Sequence, residues 1–300
     1  MGFDMFDKSM LRDVGYTYLW VRPPTEVFAS VPFASVDGLK LEQSLELGSS
    51  TLTLRALAGR AVGRTPLHAR GVVQDNGGSD VYGVTASLQS GPWRVRASLA
   101  RVRNANELPE PYTQIPAIFN GLAAATGDPR LAGTGSLFTM RGAHSRTTAL
   151  GINYDRGPVQ ASGYLAHSTF DRFLLPPNTT GYLSFGYRTG PVVPYLMYAR
   201  IYSKRIQVPY LGALPGIPNP AVQQFTGLIN TMVLSRNADQ HTWSAGLRWD
   251  FAEHADFKLQ IDQVRNPTGG PFMQVLGPDY HGRLMVMSAV VDFVFGGGRP

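Results

Sequence analysis

The sequence predicts an all-β fold, a transmembrane antiparallel β-barrel with about eleven visible strands. Three observations predict it. Apolar residues alternate in period two along most of the chain, the signature of strands with one apolar face. Tight turns, several of them Gly-Pro, alternate with long loops, as in barrels that have a short-turn side and a long-loop side. The composition is also unexceptional for a membrane protein of this kind: 43% of the 300 residues are hydrophobic, 16% are charged, and the mean hydropathy is −0.09. A membrane helix needs about eighteen consecutive apolar residues, and no stretch approaches that. A barrel with lipid outside and water inside needs only every second residue apolar.

In chain order the predicted strands are 36–47, 51–61, 79–90, 93–104, 146–156, 159–170, 179–189, 192–205, 239–251, 256–265 and 283–295. The last shows the pattern most clearly: Met285, Met287, Ala289, Val291, Phe293 and Phe295 share one face, opposite Ser288 and Asp292. Gly48-Ser49-Ser50, Gly91-Pro92, Gly157-Pro158, Gly190-Pro191 and Glu253-His254-Ala255 make the short turns. Segments 62–78, 105–145, 171–178, 206–238 and 266–282 are the long connections, and Ile115 to Ala125 within one of them predicts a short helix. Short turns belong on the periplasmic side, which sets the orientation.

The polar faces supply the chemistry. Trp243, Ala245, Leu247, Trp249 and Phe251 oppose Thr242, Ser244, Gly246, Arg248 and Asp250, so the second set faces a lumen. The same reading turns Leu183, Phe185 and Tyr187 outward, and turns Tyr195, Met197, Ala199 and Ile201 outward with Tyr198, Arg200, Tyr202 and Lys204 inward. The expected pore-lining charges are Lys40, Glu42, Arg55, Arg94, Arg96, Arg188, Arg200, Lys204, Arg248, Asp250, Lys258 and Asp262, with Glu46, Asp155 and Asp292 as further acids. Cations lead, which predicts a mild anion preference. Trp20, Trp93, Trp243 and Trp249 are expected in aromatic girdles at the membrane interfaces, with core aromatics as the alternative.

A net charge of +6 and a pI near 9.6 raise nucleic acid as a partner. The cations are scattered singly, with no basic run and no nucleic-acid motif, so none is expected. Cysteine is absent, and the six histidines lack ligand spacing, so no metal site and no cofactor are expected. Asp75 to Asp80 reads as a turn. For an enzyme, His144-Ser145 and His167-Ser168 with Asp171 are the candidates, but no nucleophile elbow or metalloprotease motif accompanies them. His167 and Ser168, adjacent on a strand, point to opposite faces.

The first eight residues, Met1 to Lys8, show no signal-peptide pattern, and the first strand runs toward a short turn. Both suggest strands upstream of residue 1. Residues 1–35 then read as an extracellular loop, 36–295 as strands of a single barrel domain and 296–300 as a tail. Asp13-Val-Gly-Tyr-Thr-Tyr-Leu-Trp-Val-Arg-Pro-Pro-Thr-Glu-Val27, followed by Val31-Pro-Phe33 and Val36-Asp-Gly-Leu39, resembles porin-like outer-membrane proteins of Gram-negative bacteria. The resemblance implies a sixteen-stranded porin-type barrel in the outer membrane, in contact with its lipid, passing small hydrophilic solutes, with a homotrimer as the assembly. Porins narrow their channel with an infolded loop, so by analogy the 105–145 loop offers Glu107, Glu110, Asp128 and Arg130 as constriction candidates. An occluded barrel with a structural or adhesin role, and an outer-membrane hydrolase, are the alternatives.

Overall fold

The computed structural model describes residues 18–28, 35–66, 73–110, 112–172, 176–204, 208, 219–234, 237–267 and 281–294. Within them a one-turn helix α1 (Thr25–Phe28) precedes strands β1 (Ser35–Leu47), β2 (Ser50–Val62), β3 (Arg64–Pro66), β4 (Val73–Asp75), β5 (Asp80–Ser90) and β6 (Trp93–Arg103). Helices α2 (Ile115–Thr126) and α3 (Pro129–Ser136) follow, then β7 (His144–Arg156), β8 (Val159–Phe170), β9 (Asn178–Tyr187) and β10 (Val192–Ser203). Helix α4 (Pro220–Leu234), β11 (Asp239–Ala252), β12 (Ala255–Arg265) and β13 (Arg283–Phe293) complete the chain order.

Eleven strands form one antiparallel sheet in the order β1-β2-β5-β6-β7-β8-β9-β10-β11-β12-β13, with β1 and β13 at its two edges. Each strand starts or ends within two residues of the expected position, and Phe295 lies outside the described residues. Neighbours in sequence are neighbours in space, so the topology is a meander set by its turns. Gly48, Gly91, Gly157 and Gly190 hold φ between 52° and 64°, and each sits at a short turn where positive φ closes the hairpin. The sequence reading left β3 and β4, a small ribbon, inside a long connection. At three residues each they are too short for a period-two pattern to register.

The two faces of the sheet differ. On the outer face Leu39 is 78% exposed, Leu183 68%, Met285 67% and Met287 67%. The other face carries the segment 18–28, so it is the inner one. Tyr18, Trp20, Val27 and Phe28 pack there against Ala100, Tyr164, Ala166, Tyr182, Tyr195, Met197 and Ala199, which come from β6 and β8 to β10. A second apolar core lies off the sheet. Ile115, Phe119, Leu131 and Phe138 of the β6–β7 connection meet Val222, Phe225 and Ile229 of α4, with Phe119 stacked on Phe138 at 5.6 Å and edge-on to Phe225 at 5.3 Å.

Two expectations change here. Strand β10 has the opposite parity to the one expected: Val193, Tyr195, Met197, Ala199 and Ile201 are buried on the inner face, and Leu196 and Tyr202 are exposed outside. Register confirms it, since Tyr195 pairs with Gly186 and Met197 with Ser184, both inner-face residues. Arg200 is therefore on the outer face, and Lys204, next on the same parity, is exposed beyond the strand end. Segment 18–28 supplies an apolar cover, so the inner face of β10 is as apolar as its outer face and polarity cannot tell them apart. Trp20 is likewise no girdle residue; as part of that cover it is 5% exposed against the sheet, whereas Trp93, Trp243 and Trp249 are exposed on the outer face.

Candidate functional site on the inner face

Residues 18–28 cross the inner face as a strap tied at both ends. Near its start, Trp20 Nε1 donates to Ser184 Oγ on β9 at 3.2 Å. The next anchor is Gln260 on β12, fully buried. Its Oε1 accepts from Val21 N at 2.9 Å, Arg22 N at 3.1 Å and the Tyr195 hydroxyl at 2.9 Å, while its Nε2 donates to Asp262 Oδ1 at 2.7 Å and to Arg22 O at 3.3 Å. The Arg22 guanidinium pairs with Asp262. At the far end α1 is held by the Thr180 hydroxyl, which donates to Glu26 O at 2.7 Å.

Glu26 is the unusual group on the strap. It is 1% exposed, and its Oε1 accepts from Gln240 Nε2 at 2.9 Å and from the Thr242 hydroxyl. Asn266 orients Gln240 from behind, Nδ2 to Oε1 at 3.0 Å. Among the described residues Glu26 Oε2, Ser244 Oγ and Arg22 Nε are buried polar atoms with no hydrogen-bond partner. All three residues line one cavity of about 170 Å³ between the strap and strands β10 to β13, together with Met197, Gln260 and Asp262. Buried polar atoms are normally satisfied, so a cavity edged by three that are not is suited to water or to a polar solute.

Two glycines make room for the strap. A Cβ on Gly186 would come within 2.7 Å of Leu19 Cδ1, and one on Gly246 would collide with the Leu259 carbonyl of β12 and with the phenol of Tyr195, which lies across it to reach Gln260. Gly246→Leu is expected to displace Tyr195 and loosen the strap at Gln260. Hydrogen exchange of the Val21 and Arg22 amides checks this: faster exchange in the variant is the expected outcome, and unchanged protection would refute it.

The register places Lys40, Glu42, Arg55, Arg94, Arg96, Arg248, Lys258 and Asp262 on the inner face, with Asp250 beside Arg248 at 2.6 Å. Arg188, just past β9, is tied to the turn by Nη1 to Gly157 O at 2.6 Å. The sequence reading missed three charged inner-face groups: Asp256 on β12, and Arg22 and Glu26 on the strap. Asp256 was legible, since it shares the parity of Lys258; the strap residues carry no periodic signal. With them counted and Arg200 and Lys204 removed, eight cations face eight acids on the inner side of the described residues.

These charges are segregated. Arg248, Asp250, Asp256, Lys258 and Asp292 form one chain of contacts: Arg248 Nη2 to Asp256 Oδ2 is 3.2 Å, Lys258 Nζ to Asp256 Oδ1 3.6 Å and Lys258 Nζ to Asp292 Oδ2 2.8 Å. Lys258 is 1% exposed within it. On β2 and β6, Arg55 meets Glu42 at 2.6 Å, and Arg94 donates from Nε to the neutral Gln89 Oε1 at 2.7 Å. Arg96 stands two residues from Arg94 on the same face.

The expected constriction residues bind within their own connection. Glu107 binds its own connection, accepting Met140 N at 2.6 Å on Oε1 and Arg141 N at 3.2 Å on Oε2. Glu110 accepts from Gln114 Nε2 at 3.1 Å. Asp128 caps α3, accepting Arg130 N at 3.0 Å, and grips the Arg130 guanidinium at 2.7 Å. That guanidinium, then the Arg130 amide, hold the Asp128 carboxyl below the usual carboxylate range. The 105–145 loop spends its charges on closing itself and packs on α4, and the strap occupies the inner face instead. Of the enzyme candidates, Ser168 is buried against Thr147 Oγ1 at 2.8 Å, and His167 reaches Thr179 Oγ1 at 3.0 Å on the opposite face. His144 Nδ1 lies 3.3 Å from Asp171. No group of three metal-ligating side chains occurs among the described residues.

Comparison with solved structures finds likenesses of low identity. Similar solved structures include a porin (11% identity, 86% of this chain and 62% of that one, TM-score 0.43) and OmpF of Salmonella typhi in complex with daunomycin (12%, 93% and 69%, 0.46). OccK3 of Pseudomonas aeruginosa is similar at 14% identity over 88% of this chain and 69% of its own, TM-score 0.40. The chain thus spans between three fifths and seven tenths of the length of these three. No protein-family model matches the sequence, and no curated protein sequence matches it.

Proposed function

We propose that the protein is an outer-membrane porin through which small hydrophilic solutes diffuse passively, with the strap 18–28 as its constriction. One observation carries the reading: a single sheet exposes rows of Leu, Met, Val and Trp on its outer face and lines its inner face with charged and hydroxyl side chains. In water such an outer face would be an aggregation surface, whereas in lipid it is the required one. Porin-type closure follows in the same proposal: β1 and β13, as open edges, pair with further strands of a sixteen-stranded barrel, because unpaired edges are not tolerated in a bilayer. The homotrimer belongs to this reading too.

No bond need be made or broken. Polar walls keep the path wet, and the strap sets its width. The total inner charge is balanced, but the acids of β12 and β13 and of the strap are buried or ion-paired, whereas Arg94 donates to the neutral Gln89, with Arg96 two residues along the same wall. That asymmetry supports a mild anion preference. The test is the reversal potential of single channels in a salt gradient. The protein is expected to conduct with modest anion preference, and R94Q/R96Q is expected to bring the reversal potential to zero or beyond. A steady absence of conductance would favour an occluded barrel, and cation preference in the parent protein would refute the assignment of the arginine wall.

A further inference from the structure

The outer face carries a second pattern. Across β10 to β13 the register sets Arg200 opposite His241, His241 opposite Arg265, and Arg265 opposite Arg283. Four consecutive strands thus present three guanidiniums and an imidazole on one rung. A shorter version occurs on β6 and β7, where Arg101 is directly opposite Arg146. Like charges facing one another across a sheet are destabilising unless something neutralises them. Among the described residues, Asp239, 3.8 Å from Arg200, is the one acid ion-paired with the longer rung.

The position of these residues is as telling as their charge. Each falls within four residues of the strand end that meets a long loop. At the opposite, short-turn end the outward residues are mostly apolar and aromatic, Trp249 and Phe251 among them, with Arg156 the one cation among the described strand residues. One rung further into the sheet from Arg200 and His241, Tyr198 packs on Trp243 at 4.7 Å, and beyond them Leu196 and Met287 are exposed. Cationic, then aromatic, then aliphatic is the sequence of environments met on passing from anionic headgroups into acyl chains.

We propose that this rim binds the phosphate groups of an anionic lipid in the outer leaflet, with the acyl chains lying on the apolar rows beneath. The inference rests on the membrane reading above and adds the class of lipid that the outer face selects. Lipid phosphate supplies neutralising charge that the sheet provides to this rung only through Asp239, among the described residues, and guanidiniums suit bidentate contact with phosphate oxygens.

The test titrates lipid A into the protein refolded in phosphatidylcholine vesicles and reads bound lipid by native mass spectrometry. Triple substitution R200Q/R265Q/R283Q is expected to weaken lipid A binding about a hundredfold, at roughly a factor of five per arginine near a membrane surface. R101Q/R146Q should weaken it less, and lipid A stripped of phosphate should bind all three proteins equally poorly. Inorganic phosphate at fixed ionic strength should not displace the lipid; if it does, the site takes free phosphate and the lipid assignment falls. Equal binding by the parent and both variants would overturn the inference, as would indifference to the lipid phosphates. Conductance of the same preparations separates the two readings: a conducting protein that ignores lipid A loses only this inference, and a protein that never inserts loses both.

Discussion

Replacing Gln260 with leucine is expected to free the strap and widen the channel. The substitution conserves the approximate volume but removes an acceptor shared by Val21 N, Arg22 N and the Tyr195 hydroxyl, together with the donor to Asp262. Each donor left unmade in a buried setting costs about 1–3 kcal/mol. The loss falls on the strap, which has few other ties in its middle, so the local equilibrium shifts before the sheet does. Single-channel recordings should show larger and noisier steps than the parent, and Val21 and Arg22 amides should exchange faster. Steps of parental size in the leucine variant would mean that the strap does not define the narrow path.

Lys258→Met is expected to damage the wall itself. Lys258 is buried between Asp256 and Asp292, and the Asp256 side chain is only 5% exposed. Removing the cation leaves Asp256 with Arg248 as its remaining ion pair and Asp292 with none of those described. Breaking one side of a buried pair typically costs about 3–5 kcal/mol, since the uncompensated charge stays in a poorly hydrated place. Urea unfolding in detergent micelles should show that loss. Lys258→Met combined with Asp292→Asn should recover part of it, because the second change removes one of the stranded charges. A single variant as stable as the parent would show that water reaches these carboxylates freely.

The strands were legible because a sheet with one apolar and one polar face enforces period two over ten to fourteen residues, and glycine at positive φ marks the short turns. Inner-face charges on β1, β2, β6, β11 and β12 followed from the same parity. The reading failed where a third layer intervened. Segment 18–28 covers β9 and β10 with Trp20, Val27 and Phe28, so the parity of β10 inverted and Arg200 and Lys204 changed sides. Nothing periodic in Leu19 to Phe28 announces that it lies inside. Its one local cue was composition, since Trp20, Val27 and Phe28 are apolar for an exposed loop. The roles of Glu107 and Asp128 were hidden for a different reason, because a carboxylate that caps backbone amides looks in sequence like one that lines a pore.

The two long connections are not independent appendages. Phe119 and Phe138 of one lie against Phe225 of the other, with Ile229 fully buried in the same core. Surface loops usually drift freely in sequence, since each answers only to its own two anchoring strands. Here a change of bulk at Phe225 must be met by a change at Phe119 or Leu131, so variation at this end of the sheet has to occur in matched pairs. Exchanging either loop alone with that of a relative would graft half of a core. Exchanging both together moves a complete packed unit and leaves the strands beneath it untouched.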